Sequence, residues 1–167
     1  MKTKKGEKMA LLDILKKRKS IRKYTDENIS DEVLNQIIEA GKLAPSGRNK
    51  KPVKLILVKD KETLEYLSNT RSHGSQILAG ANAAIVVVGD SELSDTWIED
   101  CSIAMMIMQL QATELGVGNC WVQVRGRYLD ETGELTADLI RSKLNIEEKY
   151  SVECMLSLGM PAEDWRE

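Results

Sequence analysis

Phenylalanine is absent from this chain of 167 residues, and aromatic residues make up only 4% of it. Leucine, isoleucine, valine and methionine must therefore fill the core. With 42% hydrophobic and 30% charged residues, the composition is that of an ordinary globular protein. A chain of this length buries roughly 70% of its unfolded surface, so it needs neither disulfides nor a metal to hold a core.

Cysteine and histidine are also scarce. Cys101, Cys120 and Cys154 lie far apart with no C-x-x-C pair, and His73 is the only histidine. A dispersed, odd set of cysteines predicts reduced thiols in a cytoplasmic protein. A metal site needs a cluster of ligands, so we expect none. We expect His73 to lie on the surface, with a role in a lid as the alternative.

No charge of one sign dominates, because 24 basic and 26 acidic residues give a net charge of −2. Such a balance produces no overall field that attracts nucleic acid or an anionic membrane. The chain also lacks a run of about 18 apolar residues, and its charged start lacks the apolar stretch of a signal peptide. We therefore expect neither a nucleic acid nor a membrane as a partner.

Hydrophobic periodicity predicts mixed helices and strands in one domain over residues 9–167, after a flexible lead-in of residues 1–8. Ser30 is expected to cap the second helix and Gly116 the fourth. We expect helices from Met9 to the basic run, then over 31–41, 61–69, 95–115 and 134–144. Strands are expected over 53–58, 83–89, 119–124 and 154–160.

The helix over 95–115 is apolar around most of its circumference. A helix of this kind has to be buried on every side. In so short a chain, a second subunit is the simplest cover, so the pattern favours a homodimer.

A basic segment follows the first helix and reads Arg-Lys-Ser-Ile-Arg-Lys-Tyr over residues 18–24. Arginine offers paired donors to phosphate, and alternate residues of an extended stretch face the same way. Arg18, Ser20 and Arg22 could thus face one ligand together. On composition alone, a solvated basic helix end is the commoner explanation.

Two further segments contain small residues. Residues 44–49 (Ala-Pro-Ser-Gly-Arg-Asn) allow a backbone to approach a flat ligand, although an ordinary turn has the same composition. Gly116 and Gly118 follow a helix and precede a strand. This order is the reverse of the dinucleotide-binding fingerprint, so we reject that assignment.

These three segments, followed by Leu-Ser-Leu-Gly-Met-Pro-Ala-Glu over 156–163, resemble in their order and spacing the nitroreductase family. The resemblance runs from about Leu12 to Glu163. It implies an α+β fold in three layers, with a central, mainly antiparallel or mixed sheet wrapped by helices. It also implies a homodimer with FMN at the subunit interface, and the helix over 95–115 is similar to the main dimer helix of the family.

The resemblance implies the following cofactor-binding residues. Those expected at the FMN phosphate and ribityl chain are Arg18, Lys19 and Ser20, with Arg22 near the N1/O2 edge. The residues expected to line the ring from the other subunit are Pro45, Ser46, Gly47 and Asn49. The stretch expected near flavin N5 is Trp121, Val122 and Gln123. Expected replacements for contacts that this chain lacks are Ser75 or Gln76 at the flavin, and Arg166, or else Arg125 and Arg127, at the phosphate.

In the implied reaction, NADH or NADPH gives a hydride to flavin N5 and leaves, and a small acceptor such as a nitroaromatic or quinone then takes its place. This ping-pong scheme demands no catalytic side chain, because the flavin carries the chemistry. Cys120 is therefore expected to be a packed thiol. Val124 replaces a residue that is small in the family, which predicts a narrower pocket. The alternatives are a non-catalytic flavin-binding or redox-sensing protein, and a family member with another reaction such as reductive dehalogenation.

Overall fold

A four-stranded antiparallel sheet forms the centre of the computed structural model, which describes residues 9–162. The strand order is β1-β2-β4-β3. The bounds are β1 Val53–Val58, β2 Ala83–Asp90, β3 Gly118–Gln123 and β4 Tyr150–Gly159. The expected α+β class, with helices around a mainly antiparallel sheet, is confirmed. The expectations for residues 1–8 and for Arg166 lie outside the described residues.

Five α-helices occur within the described residues, and each begins and ends within about two residues of its predicted bounds. They are α1 Leu11–Lys17, α2 Asp31–Lys42, α3 Lys61–Ser68, α4 Trp97–Glu114 and α5 Thr136–Leu144. Short 3₁₀ turns occupy Gly47–Asn49 and Gln76–Gly80. Between residues 9 and 162, no helix combines the length and apolar character needed to cross a lipid bilayer.

The predicted helix ends are formed as expected. The Ser30 side chain accepts a hydrogen bond from the Val33 N–H, and so caps α2. Gly116 adopts a left-handed φ of 78° after α4. The N–H groups of Gly116 and Val117 bond back to the last turn, as in a Schellman cap. This turn directs the chain straight into β3.

Helices cover both faces of the sheet. Along β2, the side chains of Ile85 and Val87 pack in the core beneath α2 and α4, whereas Val86 and Val88 pack with α3 and α5 on the opposite face. A strand buried on both faces reads as a continuous apolar run, which explains why β2 was easily predicted.

Strand β4 begins at Tyr150, four residues before the predicted start at Cys154. Cys154 pairs with Val87 and Val152 pairs with Val88, so Glu153 forms a bulge without a partner on β2. A bulge shifts the alternation of side chains by one residue. Together with the polar Ser151, it concealed the first part of the strand.

The carboxylate of Glu153 is only 2% exposed and is paired with Arg125 across 2.7 Å. The N–H groups of Val124 and Arg125 both donate to the Glu153 carbonyl. Arg125 therefore neutralises a buried charge at the bulge. Our alternative expectation, that Arg125 serves a ligand phosphate, stays a prediction for its two terminal NH2 groups, because Glu153 engages only the Nε–H group.

The three cysteines are buried and free. Burial raises the pKa of the Cys101 thiol to about 12 and that of Cys154 well above its usual value. Cys120 is 4% exposed, so the expectation of a packed thiol is confirmed.

Replacing Arg125 by alanine should lower the free energy of unfolding by about 2–4 kcal/mol, because the Glu153 carboxylate would stay buried without its partner. Arg127→Ala is the matched control, since its side chain meets no carboxylate of residues 9–162 within 4.0 Å. This control should change stability by less than about 0.5 kcal/mol. Urea unfolding at saturating FMN measures the free energy of unfolding of both variants. Equal losses in Arg125→Ala and Arg127→Ala would contradict the role assigned to the Arg125–Glu153 ion pair.

Candidate functional site

The basic segment from Arg18 to Tyr24 runs in extended form along the ends of β3 and β4. The Ile21 N–H donates to the Asn119 carbonyl at 2.9 Å, and the Ala162 N–H donates to the Lys23 carbonyl at 3.0 Å. The Ile21 side chain is 1% exposed, whereas Arg22 is exposed. The apolar Ile21 is therefore turned into the core, while Arg18 and Ser20 are half-buried.

Tyr24 fixes this segment in place. Its hydroxyl donates to the Ile21 carbonyl at 2.8 Å and shares a hydrogen bond with the buried Ser157. Its ring fills the space beside Gly159, where any Cβ would overlap the ring. Burial raises the pKa of Tyr24, so it stays a neutral anchor.

The cations of the segment have no acidic partners among residues 9–162. The guanidinium groups of Arg18 and Arg22 and the ammonium of Lys19 lie more than 4.0 Å from every carboxylate in that range. Ser20, which lies between Lys19 and Arg22 in the sequence, is half-buried. Three uncompensated cations and a hydroxyl form a donor set that suits a phosphate.

The loop from Pro45 to Asn49 is held against the start of α4. The Gly47 N–H donates to Asp100 Oδ1 at 2.9 Å, and the Thr96 hydroxyl donates to Asp100 Oδ2 at 3.2 Å. Asp100 is only 3% exposed, so its buried carboxylate holds the loop in place through these hydrogen bonds.

The loop backbone is tightly constrained. Ser46 accepts a hydrogen bond from the Lys51 N–H at 2.8 Å. Arg48 and Asn49 adopt left-handed φ values of 53° and 55°, which are uncommon for residues other than glycine. A Cβ at Gly47 would overlap the Thr96 hydroxyl, which accounts for the glycine. Pro45 and Asn49 are exposed at the surface.

These two parts of the predicted site lie at opposite ends of α4. The Asn119 amide, beside the basic segment, donates to the Thr113 hydroxyl near the C-terminal end of the helix. Asp100, which holds the loop, lies in the first turn. At 1.5 Å per residue, Asp100 and Thr113 are roughly 20 Å apart along the helix axis. Within one chain, the structure does not bring the two parts together.

Strand β3 lies at the edge of the sheet as far as the described residues show, and its outer side presents alternate backbone groups. The Asn119 carbonyl accepts from Ile21, and the Gln123 carbonyl accepts from the Arg71 guanidinium at 3.1 Å. The backbone of Trp121, between them, has the same orientation. The indole of Trp121 donates to the Gln123 side chain at 2.9 Å.

The structure corrects the expectations that Val122 contacts the flavin and that Val124 narrows a pocket. Val122 pairs with Met155 in the ladder, and its side chain is 1% exposed. It therefore has no free group for a ligand on the outer side. Val124 is fully buried in the core with α5, so its side chain does not narrow a pocket as we expected.

Ser75 is corrected as well, because its hydroxyl is fully buried and donates to the carbonyls of Ser68 and Arg71. The Gln76 side chain is exposed, but it bonds the backbone of Arg71, Ser72 and Gly74. Both residues brace the turn over 70–76 instead of replacing a flavin contact.

Sequence reasoning missed two residues that shape the site. Arg71 reaches the outer edge of β3, yet it occurs in a polar loop without any motif. In the sequence, nothing set Asp100 apart from the acidic residues that are common in the first turn of a helix, except its position on the apolar circumference of α4.

Comparison with known proteins agrees with this arrangement. The model described as the nitroreductase family matches residues 15–72 and 69–160. A protein of Archaeoglobus fulgidus named as an NADH dehydrogenase/NAD(P)H nitroreductase is 39% identical over 157 residues, which are 92% of this chain and 86% of the relative.

Solved structures show the same fold. An FMN-dependent nitroreductase from Clostridium difficile superposes with a TM-score of 0.88 at 46% identity, over 92% of this chain and 88% of its own. A nitroreductase from Desulfovibrio desulfuricans in complex with FMN gives a TM-score of 0.79 at 29% identity, over 94% and 89%. Since the family model spans the basic segment, the loop over 44–51 and the outer edge of β3, this chain belongs to the nitroreductase family.

Proposed function

We propose that this protein is an FMN-dependent oxidoreductase that passes electrons from NADH or NADPH to a small organic acceptor of the nitroaromatic or quinone type. We place the FMN at the interface of a homodimer in the cytoplasm. The names of its relatives support the flavin and the nicotinamide donor. The dimeric site has its own physical argument.

The observation that carries the proposal is the separation of the two half-sites along α4. The loop held by Asp100 and the basic segment held by Asn119 are too far apart to grip one flavin from the same chain. In a two-fold dimer with α4 antiparallel to its copy, the start of one helix lies beside the end of the other. Each loop then completes the half-site of the opposite subunit.

The surface of the single chain supports such a dimer. Ile103 on α4 is 40% exposed, and the neighbouring Met106, Ile107 and Leu110 are only half-buried. On the short helix α1, Leu11 is 62% exposed. Leu12 and Leu15 are exposed as well. Burial of apolar area at about 25 cal/mol per Å² favours covering this surface with a second copy.

In this arrangement the phosphate and ribityl chain of FMN lie against Arg18, Lys19 and Ser20, and Arg22 lies near the N1/O2 edge. The outward backbone groups of Trp121 and the N–H of Gln123 would face the ring, beside the Gln123 carbonyl that Arg71 engages. The loop over Pro45, Ser46, Gly47 and Asn49 of a second copy covers it. Arg166 remains a further proposed phosphate ligand.

When bound, FMN would supply the redox chemistry of both half-reactions, hydride uptake from the nicotinamide donor and hydride transfer to the acceptor. The protein binds and orients the ring, while the guanidinium of Arg22 stabilises negative charge that develops on it. The closed loop over 44–51 excludes water from one side.

The direct test is an anaerobic titration of the purified protein with NADH or NADPH. We expect FMN to copurify in near-stoichiometric amount and its visible absorbance to bleach, then return on addition of a quinone. A yellow protein that neither donor bleaches would instead be a non-catalytic flavin binder. If the protein binds no FMN even when FMN is added in excess, the proposal is overturned.

Ile103→Lys should dissociate the dimer and release FMN together, because a charge would have to be buried in the apolar interface. We expect the dimer dissociation constant to rise at least about 100-fold. Leu135→Lys is the matched control, since Leu135 is also half-exposed (49%) but lies just before α5. Light scattering and flavin content measure the result. A folded Ile103→Lys monomer that retains FMN would rule out the interface site.

Arg22→Ala should weaken FMN binding and make the flavin harder to reduce, because a nearby cation favours the more negative ring. For an exposed cation worth roughly 0.2–1 kcal/mol, we expect the two-electron midpoint potential to fall by roughly 5–20 mV. Lys23→Ala, one residue further on, is the control. Spectroelectrochemistry compares the two variants, and an unchanged potential in Arg22→Ala would contradict the placement of Arg22.

A further inference from the structure

A basic cavity lies beyond the end of β3, next to the outer edge that we propose for the flavin. It has a volume of about 200 Å³ and is lined by Arg71, His73, Arg127, Tyr128 and Asp130, among others. The sequence offered Arg127 as an alternative ligand of the FMN phosphate, but it lies beyond the Gln123 end of β3, whereas the basic segment lies at the Asn119 end. The flavin site proposed above makes no use of Arg71 or Arg127 as anion ligands.

Two turns build the cavity and are fixed to each other. The Ser72 hydroxyl accepts a hydrogen bond from the Asp130 N–H at 2.8 Å, which links the turn over 70–76 to the loop after β3. Arg71 is held by the Gln123 carbonyl and packs closely over Gly74, where an added Cβ would lie 3.2 Å from the guanidinium carbon. Gly74 has a φ of 96°, which disfavours a side chain there.

Arg127 is positioned by the loop after β3. Its N–H donates to the Val124 carbonyl at 3.0 Å, and its own carbonyl accepts from the Thr136 N–H at 3.0 Å. The next residue, Tyr128, pairs with Leu135 as an isolated β-bridge and leaves its ring 56% exposed. The backbone of Arg127 is therefore fixed, and its exposed side chain is followed in the sequence by an accessible aromatic ring.

Neither arginine of this cavity forms an ion pair within residues 9–162, and the nearby Glu131 carboxylate accepts a hydrogen bond from Ser72 at 3.5 Å. In that range, no carboxylate comes within 4.0 Å of the guanidinium groups of Arg71 or Arg127. Asp130 lines the cavity, but the contact that fixes it uses its backbone N–H. Partial burial, and to a lesser extent the charge of Arg127, lower the pKa of Arg71. An arginine keeps its proton even so, and two like charges held close together favour an anion between them.

We propose that this cavity binds a phosphate group of the nicotinamide nucleotide donor, with the adenine ring against Tyr128. The inference rests on the proposed function, which places the nicotinamide over a ring at the neighbouring edge of β3. Paired guanidinium groups bind phosphate through two parallel hydrogen bonds, and an exposed tyrosine offers a stacking surface to a base. A small acceptor without phosphate needs neither feature.

The same chemistry could come from the pyrophosphate or from the 2′-phosphate of NADPH. Calorimetric titration of the FMN-loaded protein with ADP and with adenosine 2′,5′-bisphosphate distinguishes the two sources. We expect Arg127→Gln and the Arg71→Gln/Arg127→Gln double variant to weaken binding at least tenfold. Weakening of the bisphosphate alone assigns the 2′-phosphate, and weakening of both ligands assigns the pyrophosphate.

Three further variants sharpen the test. Arg141→Gln removes a guanidinium from α5, where it pairs with Asp138, and should leave both affinities unchanged. Arg127→Lys keeps the charge without the paired donors, so it should restore only part of the affinity. Tyr128→Ala should weaken both adenine nucleotides without affecting inorganic phosphate.

Steady-state kinetics with NADH and NADPH provides the second readout. The KM of the assigned donor should rise at least tenfold in Arg127→Gln, with a smaller change in kcat. Unchanged affinities and KM values in a protein that NAD(P)H still reduces would overturn the cavity assignment and leave the proposed function intact. Conversely, if NAD(P)H fails to reduce the wild-type flavin, the proposed function fails, while the two nucleotide titrations still decide whether the arginines bind phosphate.

Discussion

Helix α4 carries apolar side chains around most of its circumference, and its own chain buries only part of that surface. One side packs into the core beneath the sheet, with Cys101, Met105 and Met108 fully buried. The other side, around Ile103, stays partly open to solvent. The remaining elements are placed by this helix, since α2 packs along it, the loop over 44–51 is tied to its start, and the Gly116 turn leads from its end into β3.

Two buried polar side chains convert this apolar helix into a scaffold for a site. Asp100 offers its carboxylate to the Gly47 N–H, and the buried amide of Asn119 bonds Gln109 and Thr113 of α4. Burying a polar group costs free energy unless the group is hydrogen-bonded. The positions of Asp100 and Asn119 are therefore determined by their hydrogen-bond partners. In the proposed dimer, the apolar surface of α4 would supply the free energy of association, whereas these polar groups would determine the positions of the two half-sites.

The sequence was sufficient for most of the fold because β2 is an almost continuous apolar run, β1 is interrupted only by Lys54, and the helices carry clear caps such as Ser30 and Gly116. The start of β4 was missed because the Glu153 bulge reverses the alternation there, and its ion pair with Arg125 joins residues far apart in the chain. For the site, order and spacing indicated candidate segments but not the directions of the side chains. Ser75 and Val122 proved to be buried, while Arg71, which has no motif, reaches β3.

The outer edge of β3 connects these features. An unpaired strand edge is a liability that proteins usually cover. Here the basic segment covers it at Asn119 and Arg71 covers it at Gln123, which leaves the backbone of Trp121 in the gap between them. A flat ligand in this gap would meet the phosphate-binding cations at one end and the basic cavity at the other. In the proposed arrangement, the same edge would serve both the flavin and the nucleotide that reduces it, and a separate set of arginines would recognise the phosphate of each.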